Sequence, residues 1–405
     1  MPHTPGANTS VRAAGAGRLL DEIDRTRAER PVPPHWRETL RAVPRDAFLP
    51  ERVWLRDGDG GYRPCDRSRD PNGWMAAAYS DAPLITRFVT ESDGTRSPSS
   101  SASQPSTVLR LLEDAQLTDG TQVLEIGTGS GYNAALLCAC LGADAVTTIE
   151  VDTELAAVAR ANLAALSYTP TIVNTDGANG WAPNAPYDRI LATCSVRAIP
   201  AAWLDQSPPG GRIVAPWDSA WCAYGTVSLT RQRDGSGTGR FAGYGSYMLI
   251  SGQRSDVELY RDVLRDGQTV ETSSTRLSPW TVAGAELNLD FHIGLTVPGA
   301  WYSWDTETEK AHTRLWLADD MATSWASVDY DGRQSKTFHV TQHGPRRLWD
   351  EVATAHDQWL RAGRPSVDRY GLTATPDTQR AWLDRPDNVV AQRPVRPGEF
   401  RSATA

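Results

Sequence analysis

What the sequence lacks narrows it first. No apolar run approaches the roughly 18 residues that a membrane-spanning helix needs, and the N-terminus has no apolar core of signal-peptide length. There is no excess of basic residues either. The net charge of −8 and the pI near 5.5 argue against a nucleic-acid partner, because neutralising phosphates takes a basic surface. Cysteine is scarce: Cys65, Cys138, Cys140, Cys194 and Cys222 form no even disulfide framework and no Cys-x-x-Cys pair. Cys138 and Cys140 stand two apart in a helical stretch, where side chains at that spacing point away from each other. Buried thiols in a reducing cytoplasm are the expectation. Metal ligands are also wanting, since His339 and His343 have neither a Glu beside the first nor a third ligand. No metal, no membrane and no nucleic acid are therefore expected.

What is there reads as an ordinary globular composition, 40% hydrophobic and 22% charged. At 405 residues the chain exceeds one comfortable core, so a main domain and an appended one are expected. Residues 1–16 are rich in Gly, Ala, Pro, Thr and Ser and read as a disordered tail. Arg18 to Ala28 and Trp36 to Arg41 read as helices separated by Pro31, Pro33 and Pro34, and Val43 to Pro50 as an extended connector. Glu91 to Ser103 is polar and reads as a flexible loop, leading through Gln104-Pro105 into an amphipathic helix from Thr107 to Gln116.

The centre of the chain is Gln122 to Gly131. The apolar strand Val123 to Ile126 runs into Gly127, Gly129 and Gly131, and then into a helical stretch from Tyr132 to Leu141. Such a turn holds a nucleotide-type cofactor, because glycine tolerates the backbone angles and lets a ligand touch the main chain. Alternation continues with strands at Ala145 to Glu150, Thr171 to Asn174, Tyr187 to Thr193 and Arg212 to Trp217, and helices at Glu154 to Leu166 and Pro200 to Asp205. That pattern predicts a parallel, doubly wound α/β sheet. Gly225 to Arg231 and Gly243 to Ile250 read as two further strands around a Gly-rich hairpin at Asp234 to Gly239.

Glycine turns serve NAD, FAD and S-adenosylmethionine, and the spacing separates them. The dinucleotide pattern spaces its last two glycines by three, whereas here the third follows two after the second. Glu125 stands two before the first glycine, unfavourable beside a pyrophosphate and favourable beside an ammonium and a sulfonium. Glu150 ends the second strand, where a carboxylate can take both ribose hydroxyls, and Asp176 follows the third, where it could accept from an adenine amino group. Three acids at successive strand ends point to S-adenosylmethionine.

From about 255 on, the chain changes character. Eight of its fifteen tryptophans lie there, with short strand-like runs at Leu287 to Leu295 and Thr313 to Leu317 and a helix at Leu348 to Leu360. A mixed α+β accessory domain over 254–405 is expected, following a methyltransferase domain over 17–253. Most of the rings read as core, though a Trp-rich domain could also hold a peptide.

Val123-Leu124-Glu125-Ile126-Gly127-Thr128-Gly129-Ser130-Gly131-Tyr132, with Ser103-Gln104-Pro105 before it and Asp176-Gly177 after it, closely resembles the protein-L-isoaspartate O-methyltransferase family. The likeness begins near Val43-Pro44-Arg45-Asp46-Ala47-Phe48, passes through Tyr79-Ser80-Asp81-Ala82-Pro83-Leu84 and runs to about Trp217. It implies a Rossmann-like class I methyltransferase fold with Ser103 as the active-site serine. Ser101, Ala102 and Gln104 would lie on the substrate loop. Glu125, Gly127, Thr128, Gly129, Gly131, Glu150, Asp176 and Gly177 would line S-adenosylmethionine. The family's usual Thr-Ile-Ser reads Ser101-Ala102-Ser103 here. The ending, Tyr370 to Asp377 and Trp382-Leu383-Asp384, looks like longer members associated with graspetide or lanthipeptide biosynthesis. The resemblance therefore implies methylation of an aspartate carboxylate in a cyclised ribosomal peptide, leading to aspartimide or isoaspartate. Repair of damaged proteins and non-catalytic cofactor binding are the alternatives.

Overall fold

The computed structural model describes every residue except 1–4, 28–29, 59, 91–93, 307, 309–310, 334–335 and 396–405. The chain begins with helices α1 (Pro5–Thr26) and α2 (Pro34–Ala42). Strands β1 (Arg52–Arg56) and β2 (Tyr62–Asp66), helix α3 (Pro71–Ala78) and strands β3 (Leu84–Thr90) and β4 (Arg96–Ala102) follow. The alternating region comprises α4 (Pro105–Ala115), β5 (Val123–Ile126), α5 (Tyr132–Leu141), β6 (Val146–Glu150), α6 (Thr153–Ala165), β7 (Thr171–Asn174), β8 (Arg189–Ala192), α7 (Ala201–Asp205) and β9 (Arg212–Pro216). A hairpin of β10 (Thr226–Arg231) and β11 (Gly237–Ala242) completes it. Beyond lie β12 (Glu271–Thr275), α8 (Pro279–Val282), α9 (Leu287–Thr296), β13 (Ala300–Thr306), β14 (Thr313–Asp319), β15 (Trp325–Tyr330), β16 (Phe338–His343) and α10 (Leu348–Arg361). Strands β17 (Tyr370–Ala374), β18 (Thr378–Leu383) and β19 (Val389–Pro394) end the described chain.

The expected doubly wound sheet is present. Strands β7, β6, β5, β8 and β9 are parallel neighbours in that order, and β10 and β11 continue the sheet antiparallel. The order reverses at β5, with β6 on one side and β8 on the other, which opens a crevice at the carboxyl ends of these strands. One face packs on α1, α2, α4 and α5 through residues such as Leu20, Leu40, Leu109 and Leu136, and the other carries Ile126, Ile190 and Ile213.

The tail departs from the expected division at 254. Residues 271–343 form a five-stranded antiparallel sheet, β12-β16-β15-β14-β13, over which α9 and α10 close a core of Leu289, Ile293, Leu317, Val328, Val352 and Trp359. Strands β17, β18 and β19, in contrast, return to the large sheet, β17 pairing antiparallel with β11 and extending the sheet to ten strands. Trp316, Trp325, Trp349, Trp359 and Trp382 are all buried, whereas Trp280 is exposed.

Other expectations fail for local reasons. Leu287–Thr296 is helical, not a strand. Its apolar residues alternate because the helix is buried on two sides: Leu289 and Ile293 face the small core, Phe291 and Leu295 the large one. At about 1.5–3 kcal/mol per buried side chain, this helix fastens the two cores together. The stretch read as a disordered tail is the start of α1 from residue 5 on, and residues 1–4 lie outside the described chain. Ala16 is buried there, Arg12 pairs with Asp46 at 2.9 Å, and a Cβ on Gly15 would stand 2.7 Å from the Tyr79 ring.

The polar run before Ser103 holds strand β4, paired with β3 at the edge of a four-stranded sheet, β2-β1-β3-β4. Serines and Pro98 are tolerated because one side of that strand needs no ladder partner. Strand β11 starts at Gly237, within the expected turn, where a Cβ would stand 2.8 Å from Leu204. The expected strand at Gly243 to Ile250 is irregular, tied to Ser195 by isolated hydrogen bonds instead. Arg45–Phe48 is a buried 3-10 turn rather than an extended connector.

Candidate active site

The glycine turn begins where β5 ends. The N–H groups of Gly127 and Thr128 both donate to the Ile149 carbonyl, at 2.9 and 3.0 Å, which ties the turn to β6. Gly127 has φ +94°, and a Cβ there would stand 2.7 Å from Thr193 Oγ1, so conformation and space both require glycine. At Gly129 a Cβ would meet nothing within 4 Å, so the space above the middle of the turn stays open.

Glu125 is placed differently from the expected contact with a cationic ligand. It is fully buried beneath the turn, Oε1 accepting from Asn133 Nδ2 at 2.7 Å and Oε2 from Thr148 Oγ1 at 2.5 Å. Thr148 also bonds Thr128 Oγ1 at 2.6 Å, so a chain of side chains joins Glu125 to the turn. Burial pushes its carboxyl up to about 7, against the opposing effect of the Thr148 and Asn133 bonds and with the help of the nearby Glu150 charge.

The other acids stand where β6 and β7 deliver them. Glu150 is 7% exposed, with Oε2 accepting from Gly129 N at 2.8 Å and Oε1 from Asp152 N at 3.0 Å. Burial raises its pKa although both bonds favour the anion. Asp176 is half-buried and caps a short turn through Oδ1, which accepts from Ala178 N at 2.9 Å. Its Oδ2 has no partner among the described residues. Gly177 lies against β5, where a Cβ would come within 2.4 Å of Ile126 Cγ2. Gly127, Thr128, Gly129, Gly131, Glu150, Asp176 and Gly177 thus converge on the crevice, with Glu125 under its floor. An open glycine turn between strand-end carboxylates fits the ammonium, ribose and adenine of S-adenosylmethionine.

The Ser103 end is held by Arg45, which motif reading passed over. Arg45 is 1% exposed, and its guanidinium donates to the carbonyls of Ala78, Ser80, Ala82, Ala102 and Ser103 at 3.0–3.3 Å. Burial lowers its pKa to about 10, so it remains charged at neutral pH. One side chain thereby fixes the loop after α3 against the end of β4. Asp81 adds a second tie, accepting from Ser106 N at 2.8 Å and from Gln104 Nε2 at 3.2 Å. Gln104 is therefore held by Asp81 as well as standing next to Ser103.

The half-buried Ser103 hydroxyl has no hydrogen-bond partner among the described residues. Ser101 pairs across to Ile85, and Ala102 is buried beside Arg45. Phe48 meets the Tyr132 ring at 5.6 Å, which joins the Arg45 turn to the start of α5 and so the serine loop to the cofactor turn. The signal for Arg45 and Asp81 was the pair of motifs in which they stand, charged residues among apolar ones.

Among the described residues no group of three or more His, Cys, Asp or Glu is placed to hold a metal, and no helix is long and apolar enough to cross a membrane. His343 Nδ1 meets the Thr269 carbonyl at 2.7 Å. All five cysteines are free thiols.

Comparison with known proteins agrees with this geometry. The family model described as "Protein-L-isoaspartate(D-aspartate) O-methyltransferase (PCMT)" matches residues 66–241. Protein-L-isoaspartate O-methyltransferase 1 of Rhodopseudomonas palustris (strain HaA2) is 38% identical over 193 residues, which are 47% of this chain and 65% of that protein. Protein-L-isoaspartate O-methyltransferase of Ignicoccus hospitalis is 35% identical over 181 residues, 44% of this chain and 71% of that one. A solved structure named protein-L-isoaspartate O-methyltransferase aligns over 89% of this chain and 96% of its own, with a TM-score of 0.50 and 19% identity, a likeness of fold alone.

Proposed function

Since the chain belongs to the protein-L-isoaspartate O-methyltransferase family, we propose that it transfers the methyl group of S-adenosylmethionine to a carboxylate of an isoaspartyl or aspartyl residue in a peptide. The observation that carries this reading is the Ser103 segment, clamped by Arg45 beside the cofactor turn with its hydroxyl unpartnered. When bound, the cofactor supplies an electrophilic methyl group. The rest is placement. A side-chain carboxyl with a pKa near 3.9 is already ionised at neutral pH and needs no general base. Ser103 donates to that carboxylate and fixes which oxygen faces the crevice, while the walls keep water away.

The ester then reacts by itself. The next backbone nitrogen attacks the ester carbonyl, the C–O bond to methoxide breaks, and methoxide leaves with the N–H proton as methanol, closing a succinimide. Incubation with labelled S-adenosylmethionine and an isoaspartyl peptide should give a base-labile methyl ester. No label on peptide or protein, with the cofactor bound, would leave only a non-catalytic binding protein.

A finer reading, maturation of a ribosomally made peptide, is favoured by one observation. The chain adds a five-stranded unit and three sheet strands after the region the family model matches. It supposes a cyclised precursor as partner. Comparing an isoaspartyl peptide with a ring-closed precursor separates the two: preference for the linear peptide supports repair, and preference for the ring supports maturation. The free thiols suit a cytoplasmic setting in either case.

A further inference from the structure

The returning strands form one wall of a cavity of about 660 Å³. Gln379 on β18 donates through Nε2 to the Ile199 carbonyl at 3.1 Å, and Arg393 on β19 donates to the Arg197 carbonyl. Strands β17 to β19 therefore lie over the segment that follows β8. Trp217, at the carboxyl end of β9, and Leu295, near the end of α9, form the apolar part of the lining with Leu372 and Ala381.

Two polar groups of this cavity are left over by the fold, an amide oxygen and a guanidinium charge. Gln379 is 2% exposed, yet its Oε1 has no hydrogen-bond partner, and the bond from Nε2 to Ile199 fixes which way the amide points. A buried acceptor left unmade costs about 1–3 kcal/mol, which an N–H donor brought by a ligand would recover. Arg254 lies at the rim. Its Nε donates to the Leu249 carbonyl at 3.1 Å, and no carboxylate pairs with it among the described residues.

One segment links the cavity to the crevice. Ser195, which follows β8, bonds the carbonyls of Tyr247 and Met248 and accepts from Ile250 N, and Gly245 lies against Thr107 near the start of α4. The segment 245–254 thus runs from the helix that follows Ser103 to the cavity. The Cys194 thiol lies within electrostatic reach of Glu150 and Asp176 on the cofactor side and of Arg254 on the other.

We propose that this cavity receives the stretch of substrate peptide beside the methylated residue. A peptide N–H donates to Gln379 Oε1, an apolar side chain packs against Trp217, Leu295 and Leu372, and Arg254 meets an acidic group of the acceptor. The proposal rests on the carboxyl methyltransferase reading. It assigns specificity to strands that lie outside the region matched by the family model.

The test uses the full chain with S-adenosylhomocysteine and a fluorescent isoaspartyl peptide bearing an apolar neighbour, read by anisotropy. Ala381→Trp, which fills the cavity, should weaken peptide binding at least about tenfold, and Gln379→Leu about fivefold, with S-adenosylhomocysteine affinity unchanged by calorimetry. Should Ala381→Trp fail to fold, Arg254→Gln at the exposed rim provides the second test, with a loss of about fivefold. Wild-type affinity in any variant that retains its melting temperature and cofactor binding overturns the proposal, as does a wild-type chain that binds no peptide. Methyl transfer is scored separately. Binding that depends on the cavity without transfer sinks the functional reading alone, and transfer indifferent to the cavity sinks this one alone.

Discussion

The two ends of the crevice are built differently. At the cofactor end, Glu125, Thr128, Asn133, Thr148 and Glu150 come from two neighbouring strands, the turn after the first and the start of α5, and they bond to one another or to the turn. At the acceptor end, Ser103 is set by Arg45 and Asp81, and the far wall comes from residues near 195, 250 and 380. The first end is short-range and largely complete in itself. The second is assembled from segments far apart in sequence, so it can change its substrate without disturbing the cofactor.

The sharpest break of that contrast is Phe291→Ala. Phe291 is 2% exposed and meets Phe241 at 5.0 Å and Tyr370 at 5.6 Å, so it fastens β11 and β17 to α9. The truncation should cost about 3–5 kcal/mol in denaturant unfolding. The acceptor wall should loosen first, visible as faster amide exchange in 370–394 than in 123–150. Uniform loss across both regions would mean that the two ends are one cooperative unit.

Arg45→Met comes next. It leaves five carbonyls without their shared donor and should cost about 3 kcal/mol. Where the protein still folds, the peptide KM should rise while S-adenosylhomocysteine affinity holds. Arg45→Lys keeps the charge but cannot reach all five oxygens, and should recover stability only in part. A full recovery would show that charge, not the fork of the guanidinium, does the positioning.

Ser103→Ala acts on the reaction itself. Turnover should fall on the order of 100-fold, about 2.7 kcal/mol, with cofactor affinity within about twofold. Wild-type turnover would remove Ser103 from the mechanism and leave the acceptor end without its polar contact.

The same division decides what the sequence discloses. The places of Gly127, Glu150 and Asp176 were legible because each is set within a few residues: a turn that demands positive φ, and acids at strand ends. Glu125 was found but given the wrong neighbours, since burial under the turn is a tertiary fact. Helix α9 was read as a strand because two-sided burial mimics period-two alternation. Strand β4 was read as loop because an edge needs little apolar surface. Nothing local in Tyr370–Ala374 says that it pairs with Gly237–Arg240, more than a hundred residues earlier.

Glu125 tests how self-contained the cofactor end is. Its folded pKa of about 7 lies above the ordinary glutamate value of 4.5 because burial disfavours the anion. The folded state therefore binds more protons than the unfolded chain between those values. The stabilising contribution is complete below pH 4.5 and is lost as pH rises through about 7. Denaturant unfolding of the cofactor-free protein should lose about 3 kcal/mol across that window, and Glu125→Gln, neutral at every pH, should flatten this part of the slope. A cationic ligand nearby favours the carboxylate, so S-adenosylmethionine should bind more tightly as pH rises through the same range, releasing a proton that the Gln variant cannot release. An unchanged slope in Glu125→Gln would mean that the proton sits on Glu150, whose pKa is also raised by burial, and that the carboxylate facing the open turn, not the one beneath it, tunes the cofactor end.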